Sequence, residues 1–225
     1  GESRPAPGAQ AVERIVLVTI DTLRADHVGC YGAERAETPA LDALAAEGAR
    51  FETAISPAAI TLPSHTTLLT GRDPPQHGVR DNGFFQLPAD VVPLAEHLRS
   101  AGFASAAFVS AVVLDSRFGL DRGFDVYDDR LGMLKTTAGP GAVPDRRGDR
   151  TVDAALAWLG AAPPRFFLWV HLYDPHAEYD PPSPFAERFA SLDEVKCSVP
   201  RSSFHNCFVF GPHHDIALRG RTFRG

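Results

Sequence analysis

The sequence is poor in cysteine, in long apolar runs and in net positive charge. Its 225 residues include only Cys30, Cys197 and Cys207, an odd and sparse set that indicates neither a disulfide framework nor a metal site. No apolar run approaches the ~20 residues that a transmembrane helix needs. The net charge of −6 argues against a nucleic-acid-binding protein. The chain is nevertheless long enough to bury one sizeable core.

Both ends differ in composition from the middle of the chain. Residues 1–11 form a flexible lead without an initiator Met. This lead fits a mature chain after removal of a signal, hence a periplasmic or other extracytoplasmic location, and it fits a cloning boundary equally well. Residues 196–225 hold five basic residues but one acidic residue. We interpret 191–225 as an atypical tail, for instance a frameshifted or alternatively spliced end, or else an unusual loop-rich terminus.

Residues 12–190 carry the pattern of an α/β domain. Arg14–Ile20 is a continuous apolar run, which predicts a strand buried on both faces of a parallel sheet. Further strands are predicted at 103–109 and 166–170, and a short one at 51–55. Helices are predicted at 40–47, 62–69, 90–100 and 149–159, with loops at 73–78 and 139–148. This alternation predicts an α/β fold with a mostly parallel sheet flanked by helices.

Asp21 follows the first predicted strand directly. In open α/β sheets, ligands bind outside the carboxyl ends of the strands. A buried carboxylate without a partner is too costly for a core position. Asp21 therefore faces solvent, pairs with a cation or binds a metal.

Thr61 stands at the start of the helix that Pro63 helps to begin. It is a helix cap or, alternatively, a hydroxyl placed where backbone N–H groups and the helix dipole favour an anion. A neutral Thr hydroxyl is a poor nucleophile near pH 7, so the second interpretation requires a metal. Asp21 is the obvious first ligand of that metal.

These motifs resemble the N-terminal half of a sulfatase and, more broadly, the alkaline-phosphatase superfamily. The resemblance rests on V-T-I-D-T-L-R at 18–24, T-L-P-S-H-T-T-L-L-T-G at 61–71 and H-G-V at 77–79, and it covers roughly residues 12–185. It implies that Thr61 is nucleophile and metal ligand, and that Asp21 is a ligand of a divalent metal (Ca, Zn, Mn or Mg). Thr22 stands where sulfatases commonly have a second Asp, so one ligand is missing or supplied elsewhere.

Several positions depart from true sulfatases. Those enzymes oxidise a Cys or Ser to formylglycine at the position of Thr61, and they have Arg where this chain has His65. Thr followed by x-Pro-x-His is similar to the nucleotide pyrophosphatase/phosphodiesterase branch, so His65 is a candidate substrate-binding residue. The resemblance also implies that Asn82 holds an oxygen of the reacting group. The alternative for Asn82 is a plain turn residue.

The segment after the third predicted strand contains two histidines. His176 matches a Pro-His element that reaches substrate oxygens, as a general acid or as a positive contact. We interpret His171 as a satisfied residue at a strand end, and His77 as a structural turn residue. Asp174 is a distal ligand or orients His176.

The family's distal metal-binding element has no good match beyond residue 180, which predicts a truncated domain with only the proximal half of the metal centre. The function expected is a metal-dependent hydrolase of small anionic sulfate or phosphate esters, with phosphoester chemistry slightly favoured. One alternative is a sulfatase proper. The other is a truncated, inactive module that binds anions or a partner protein. No oligomeric state is predicted.

Overall fold

A parallel sheet of four strands organises the part of the chain that the computed structural model describes, residues 12–132, 144–176 and 181–189. The spatial order of the strands is β1-β4-β2-β3, and each neighbouring pair is parallel. Their bounds are Arg14–Ile20 for β1, Ala104–Phe108 for β2, Val126–Asp128 for β3 and Phe166–Leu172 for β4. All four strands therefore end at the same edge of the sheet.

β1 and β4 pair along their whole length. The register aligns Thr19 with His171 and Ile20 with Leu172, and the backbone N–H of Asp21 extends the pairing by donating to the Leu172 carbonyl at 2.9 Å. Since side chains alternate along a strand, Thr19, His171 and Asp21 point to the same face of the sheet. This register brings Asp21 next to the end of β4.

Helices lie on both faces of the sheet. Phe167 and Trp169 of β4 pack into one buried cluster with Leu62 and Leu69, and Leu168 belongs to a second cluster on the opposite face. The helices are α1 Pro39–Glu47, α2 Thr61–Thr70, α3 Pro74–His77, α4 Leu94–Ser100, α5 Gly148–Leu159 and α6 Phe185–Phe189. The predicted α/β class with a parallel sheet flanked by helices is confirmed. No helix in the described ranges is long and apolar enough to cross a bilayer.

The expectation that β1 is buried on both faces is wrong. Val16 and Val18 are 54% and 52% exposed, whereas Ile15 and Leu17 pack against the core. Within the described residues β1 is an edge strand. Helix α5 covers the second face only over β2 and β4.

The other sequence predictions differ mainly at element ends. Residues 51–55 do not form a strand. The helix predicted at 90–100 begins only at Leu94, because Pro93 is an extended N-cap with ψ 160°. The short elements α3, β3 and α6 were not predicted. The tail 191–225, the lead 1–11 and most of the predicted loop 139–148 lie outside the described residues.

Candidate active site

Asp21 and Thr61 meet at the carboxyl edge of the sheet. Asp21 directly follows β1, and Thr61 is the first residue of α2 after the extended Ile60. The Thr61 hydroxyl is buried and donates to Asp21 Oδ2 at 3.0 Å, although the two residues are 40 positions apart. The structure thus joins the hydroxyl and the carboxylate that the sequence singled out.

The surroundings keep Asp21 ionised. Burial by itself raises the pKa of the Asp21 carboxyl. Its contact with His171 and the hydrogen bond from Thr61 outweigh this effect, and the pKa lies below the ordinary value. Near neutral pH the site therefore presents a carboxylate beside a hydroxyl oxygen.

Helix α2 is buried although half of its residues are hydroxyl-bearing. Ser64, Thr66 and Thr70 each donate to a carbonyl of the preceding turn of the helix, at 2.9, 2.7 and 2.7 Å. These bonds satisfy polar groups that burial would otherwise leave without a partner. The helix ends at Gly71, whose φ of 65° suits glycine.

His65 fixes the first turn of α2. Its Nδ1 lies 2.8 Å from the Thr61 carbonyl oxygen, and because a carbonyl only accepts, Nδ1 carries the proton. Burial lowers the pKa of His65 to about 4. His65 is therefore neutral near pH 7, and the atom it can offer to a substrate is the acceptor Nε2.

Asn82 lies at the N-terminus of α2. Its Oδ1 accepts from the backbone N–H of Leu62 at 2.9 Å, which satisfies one of the N–H groups that a helix start leaves unpaired. Since a backbone N–H only donates, this bond also fixes which way the amide points. The Nδ2 group remains as a donor beside the residue that follows Thr61.

The sequence predicts that the polar atoms of His171 have hydrogen-bond partners at a strand end, and the structure differs from this prediction. Its place next to the end of β4 agrees with that expectation, but the ring is completely buried, and neither nitrogen has a hydrogen-bond partner among the described residues. Nε2 lies 3.4 Å from Asp21 Oδ2. Sequence reasoning missed this contact, because it arises from strand register.

His176 lies one layer farther out. The His171 ring is 6.1 Å from the Tyr173 ring, and Tyr173 stacks on His176 at 4.2 Å with an angle of 15°. His176 is half-buried. The aromatic row thus leads from the buried carboxylate to a partly exposed imidazole.

Asp174 and His77 have structural partners. Asp174 Oδ1 accepts from the Gly148 backbone N–H at 3.1 Å, at the start of α5, and this contact was not predicted. His77 is completely buried, with Nε2 3.1 Å from Thr67 Oγ1 and Nδ1 accepting from the Val79 N–H at 3.1 Å. The structural role predicted for His77 agrees with these contacts.

The donor atoms at the site fit part of a divalent-metal centre. Asp21 and Thr61 offer two oxygens of the kind that hard cations prefer. The neighbouring Thr22 has a φ of 54°, rare for a β-branched residue, and its buried hydroxyl has no hydrogen-bond partner in the described ranges. No group of three or more His, Cys, Asp or Glu side chains in those ranges is arranged to hold a metal.

Sequence comparison finds similarity between this chain and known sulfatases. A family model described as Sulfatase matches residues 13–208. The chain is 34% identical to mouse (Mus musculus) steryl-sulfatase over 45% of its own length and 18% of that protein. It is 29% identical to the ulvan-active sulfatase of Formosa agariphila over 67% of its own length and 28% of that protein. The chain therefore spans less than a third of either relative.

Structural comparison finds the same fold. The phosphonate monoester hydrolase of Agrobacterium radiobacter superposes with a TM-score of 0.65 at 22% identity, covering 79% of this chain and 44% of that one. A protein solved with its substrate D-glucosamine-2-N,6-O-disulfate superposes with a TM-score of 0.66 at 22% identity, covering 80% and 38%. Both likenesses concern the fold alone.

Proposed function

Because this chain belongs to the sulfatase family, as its match over residues 13–208 shows, we propose that the protein it represents is a metal-dependent hydrolase of sulfate or phosphate esters. The sequence resemblance to sulfatases is confirmed by that match. The observation that carries the proposal is the 3.0 Å hydrogen bond between Thr61 and Asp21 at the carboxyl edge of the sheet. This bond supports a nucleophilic role for Thr61, because it joins the hydroxyl to a carboxylate that the protein keeps ionised.

The reaction assigns one role to each group. Asp21 and Thr61 would hold a divalent cation, whose positive charge would favour the ionised hydroxyl. Thr61 Oγ1, its proton released to solvent, forms a bond to phosphorus or sulfur while the bond to the ester oxygen breaks, and the leaving oxygen takes a proton from His176. Asn82 Nδ2 donates to a non-bridging oxygen. Water then attacks the Thr61 ester, returns a proton to His176 and releases Thr61 Oγ1 for the next turnover.

Phosphoester chemistry is the favoured branch of this proposal. The β-carbon of Thr61 bears a methyl group, so it cannot become the formylglycine aldehyde that true sulfatases use. The neutral His65 also stands where those enzymes carry a permanently charged Arg. Both departures support a direct attack by the hydroxyl.

Substrate comparison with nucleophile variants tests the proposal. With Mn²⁺ or Zn²⁺ added, we expect turnover of 4-nitrophenyl phosphate or bis(4-nitrophenyl) phosphate to exceed that of 4-nitrophenyl sulfate. Thr61→Val keeps the shape but removes the nucleophile, so turnover should fall by ~10³-fold or more. Thr61→Ser keeps the hydroxyl and serves as the control. Dominant sulfate turnover would refute the phosphoester preference, and unchanged turnover in Thr61→Val would refute the nucleophile.

A second candidate function is an inactive module that binds anions or a partner protein. It is favoured by the lack of a cluster of three His, Cys, Asp or Glu ligands in the described ranges. Metal analysis of the purified chain separates the two functions. Tight, stoichiometric metal that is lost in Asp21→Asn supports the hydrolase and contradicts the inactive module.

A further inference from the structure

The His171 ring is fully buried and lies against Asp21, the residue that accepts the hydrogen bond from Thr61. Nε2 lies 3.4 Å from Asp21 Oδ2, the oxygen that also accepts from Thr61. The His65 ring meets the His171 ring edge-on, at a centroid distance of 4.9 Å. His171 therefore contacts groups on β1 and on α2, the two elements that form the site.

Burying an imidazole at this position lowers the stability of the fold unless its nitrogens make hydrogen bonds. A buried polar group without a hydrogen bond destabilises the folded state, and neither nitrogen of His171 has a partner among the described residues. An apolar side chain of similar size would avoid this cost. Nε2 faces the Asp21 carboxylate at 3.4 Å, and a small change in the orientation of the ring would complete that hydrogen bond.

The other polar side chains on this face of the sheet have partners of their own, which leaves His171 as the imidazole that can donate to Asp21. Thr19, the register partner of His171, accepts from Trp169 Nε1 at 3.1 Å. His65 directs its own proton to the Thr61 carbonyl. Among these histidines and hydroxyls, His171 and Thr61 are the two that face the Asp21 carboxylate.

We propose that His171 is a positioning residue: as the Nε2–H tautomer it donates to Asp21 Oδ2 and fixes the orientation of the carboxylate that would hold the cation. This proposal rests on the proposed function for the presence of a divalent cation at the site. Hydrogen bonds from surrounding residues to metal-ligating groups commonly raise metal affinity ~10–100-fold. The hydrogen bond itself is a property of the metal-free chain.

The tautomer of His171 tests the hydrogen bond without any metal. In the ¹⁵N-labelled chain near pH 7.5, we expect nitrogen chemical shifts in which Nε2 carries the proton and Nδ1 does not. Asp21→Ala should shift this balance, because it removes the acceptor. A His171 that is protonated on Nδ1 in the wild-type chain would overturn the proposal.

Metal affinity tests the positioning role. Mn²⁺ is titrated into the labelled chain, and paramagnetic broadening of the backbone signals of Asp21 and Leu62 gives the dissociation constant even for weak sites. We expect His171→Met to weaken Mn²⁺ binding ~10–100-fold. His171→Gln places an amide donor near the position of Nε2, so it should bind within about threefold of the wild type.

Two further measurements separate this role from packing and from the metal hypothesis. Urea denaturation should show that His171→Met still unfolds cooperatively, because Met fills a similar volume and the loss of the Asp21 hydrogen bond is offset by removal of the buried Nδ1, which has no partner in the described ranges. Equal Mn²⁺ affinity in His171→Met and wild type would overturn the proposal. If Mn²⁺ broadens no signal in the wild-type chain, the metal of the proposed function is refuted, and the tautomer alone decides whether His171 holds Asp21.

Discussion

At the residue scale, Asn82 shows how two ends of one side chain serve different purposes. Its Oδ1 is committed to the Leu62 N–H at the start of α2. Its Nδ2 is the donor that the proposed reaction uses for a substrate oxygen. Structural and functional effects of a substitution can therefore be separated by changing one end at a time.

Asn82→Asp keeps the acceptor and removes the donor, whereas Asn82→Ala removes both. We expect Asn82→Ala to lower the free energy of unfolding by ~1 kcal/mol, as for a lost helix cap, and Asn82→Asp to change it less. Both variants should raise the inhibition constant of inorganic phosphate about tenfold or more. If Asn82→Asp binds phosphate as tightly as the wild type, the amide has no role in holding the anion.

Asp128 provides a residue-scale test that does not involve the site. Hydrogen bonds from Arg130 lower the pKa of Asp128 to about 2; burial opposes this shift, and the charge of Arg146 adds to it. A lowered carboxyl pKa stabilises the fold above the ordinary value of 3.8, and this stabilisation is lost as pH falls toward 2. Because Arg130 is largely exposed, solvent screening limits the effect to below ~2 kcal/mol.

We expect Asp128→Asn to be less stable than the wild type at pH 7 by about 1–2 kcal/mol, because it leaves Arg146 without its ion-pair partner. The difference between the two urea-unfolding curves should shrink as pH falls below 3.8. A constant difference between pH 5 and pH 2.5 would contradict the ion-pair explanation.

At the element scale, α2 depends on one buried face. Leu62 is completely buried between α2 and the sheet, whereas Leu68 on the same helix is 48% exposed. Both positions are leucines on the same helix, so the same substitution can be compared at a buried and at an exposed site. They differ in burial, and Leu62 also lies in the first turn of the helix.

Leu62→Ala should lower the free energy of unfolding by about 2–5 kcal/mol, because it leaves a cavity in the core. Leu68→Ala should change it by less than ~1 kcal/mol. Chemical denaturation of both variants measures this difference. A large loss for Leu68→Ala would show that a surface covers this side of α2 in solution.

At the scale of the whole molecule, the buried clusters of the described residues run from Ile15 to Tyr173. The family model continues to residue 208. From its unusual composition we nevertheless propose that the segment 191–225 is not part of this folding unit.

Removing residues 191–225 should therefore leave the free energy of unfolding within about 1 kcal/mol of the full chain, because the described clusters remain intact. Calorimetry or urea denaturation of the two chains makes this measurement. A shortened chain that no longer unfolds cooperatively would show that the tail contributes to the fold.

The sequence predicted the fold class well, because its signals are local. Apolar runs mark β1, β2 and β4, and Gly71 marks the end of α2. Features that depend on distant partners were not predictable in this way. An apolar run does not reveal that one face of β1 lacks a cover in the described residues, and Val126–Asp128 is too short to stand out as a strand.

In the candidate site, too, the local motifs were predictable from the sequence and the contacts between distant segments were not. Thr61, Asp21 and Asn82 were found from motif spacing, and the structure brings them to one helix start. The contact of His171 with Asp21 comes from the pairing of two strands 150 residues apart, as does the hydrogen bond from Trp169 to Thr19. The positive φ of Thr22 and its buried hydroxyl, which has no hydrogen-bond partner in the described ranges, were likewise not predictable from composition.

The pairing of β1 with β4 also determines which genetic changes the site tolerates. Because side chains alternate along a strand, inserting or deleting one residue in β1 would turn Asp21 away from His171 and Thr61, even if the strand paired again one step along. Such a length change removes the carboxylate from the site as completely as deleting its side chain. Natural variation in this protein should therefore appear as substitutions within β1 and as length changes only in its loops.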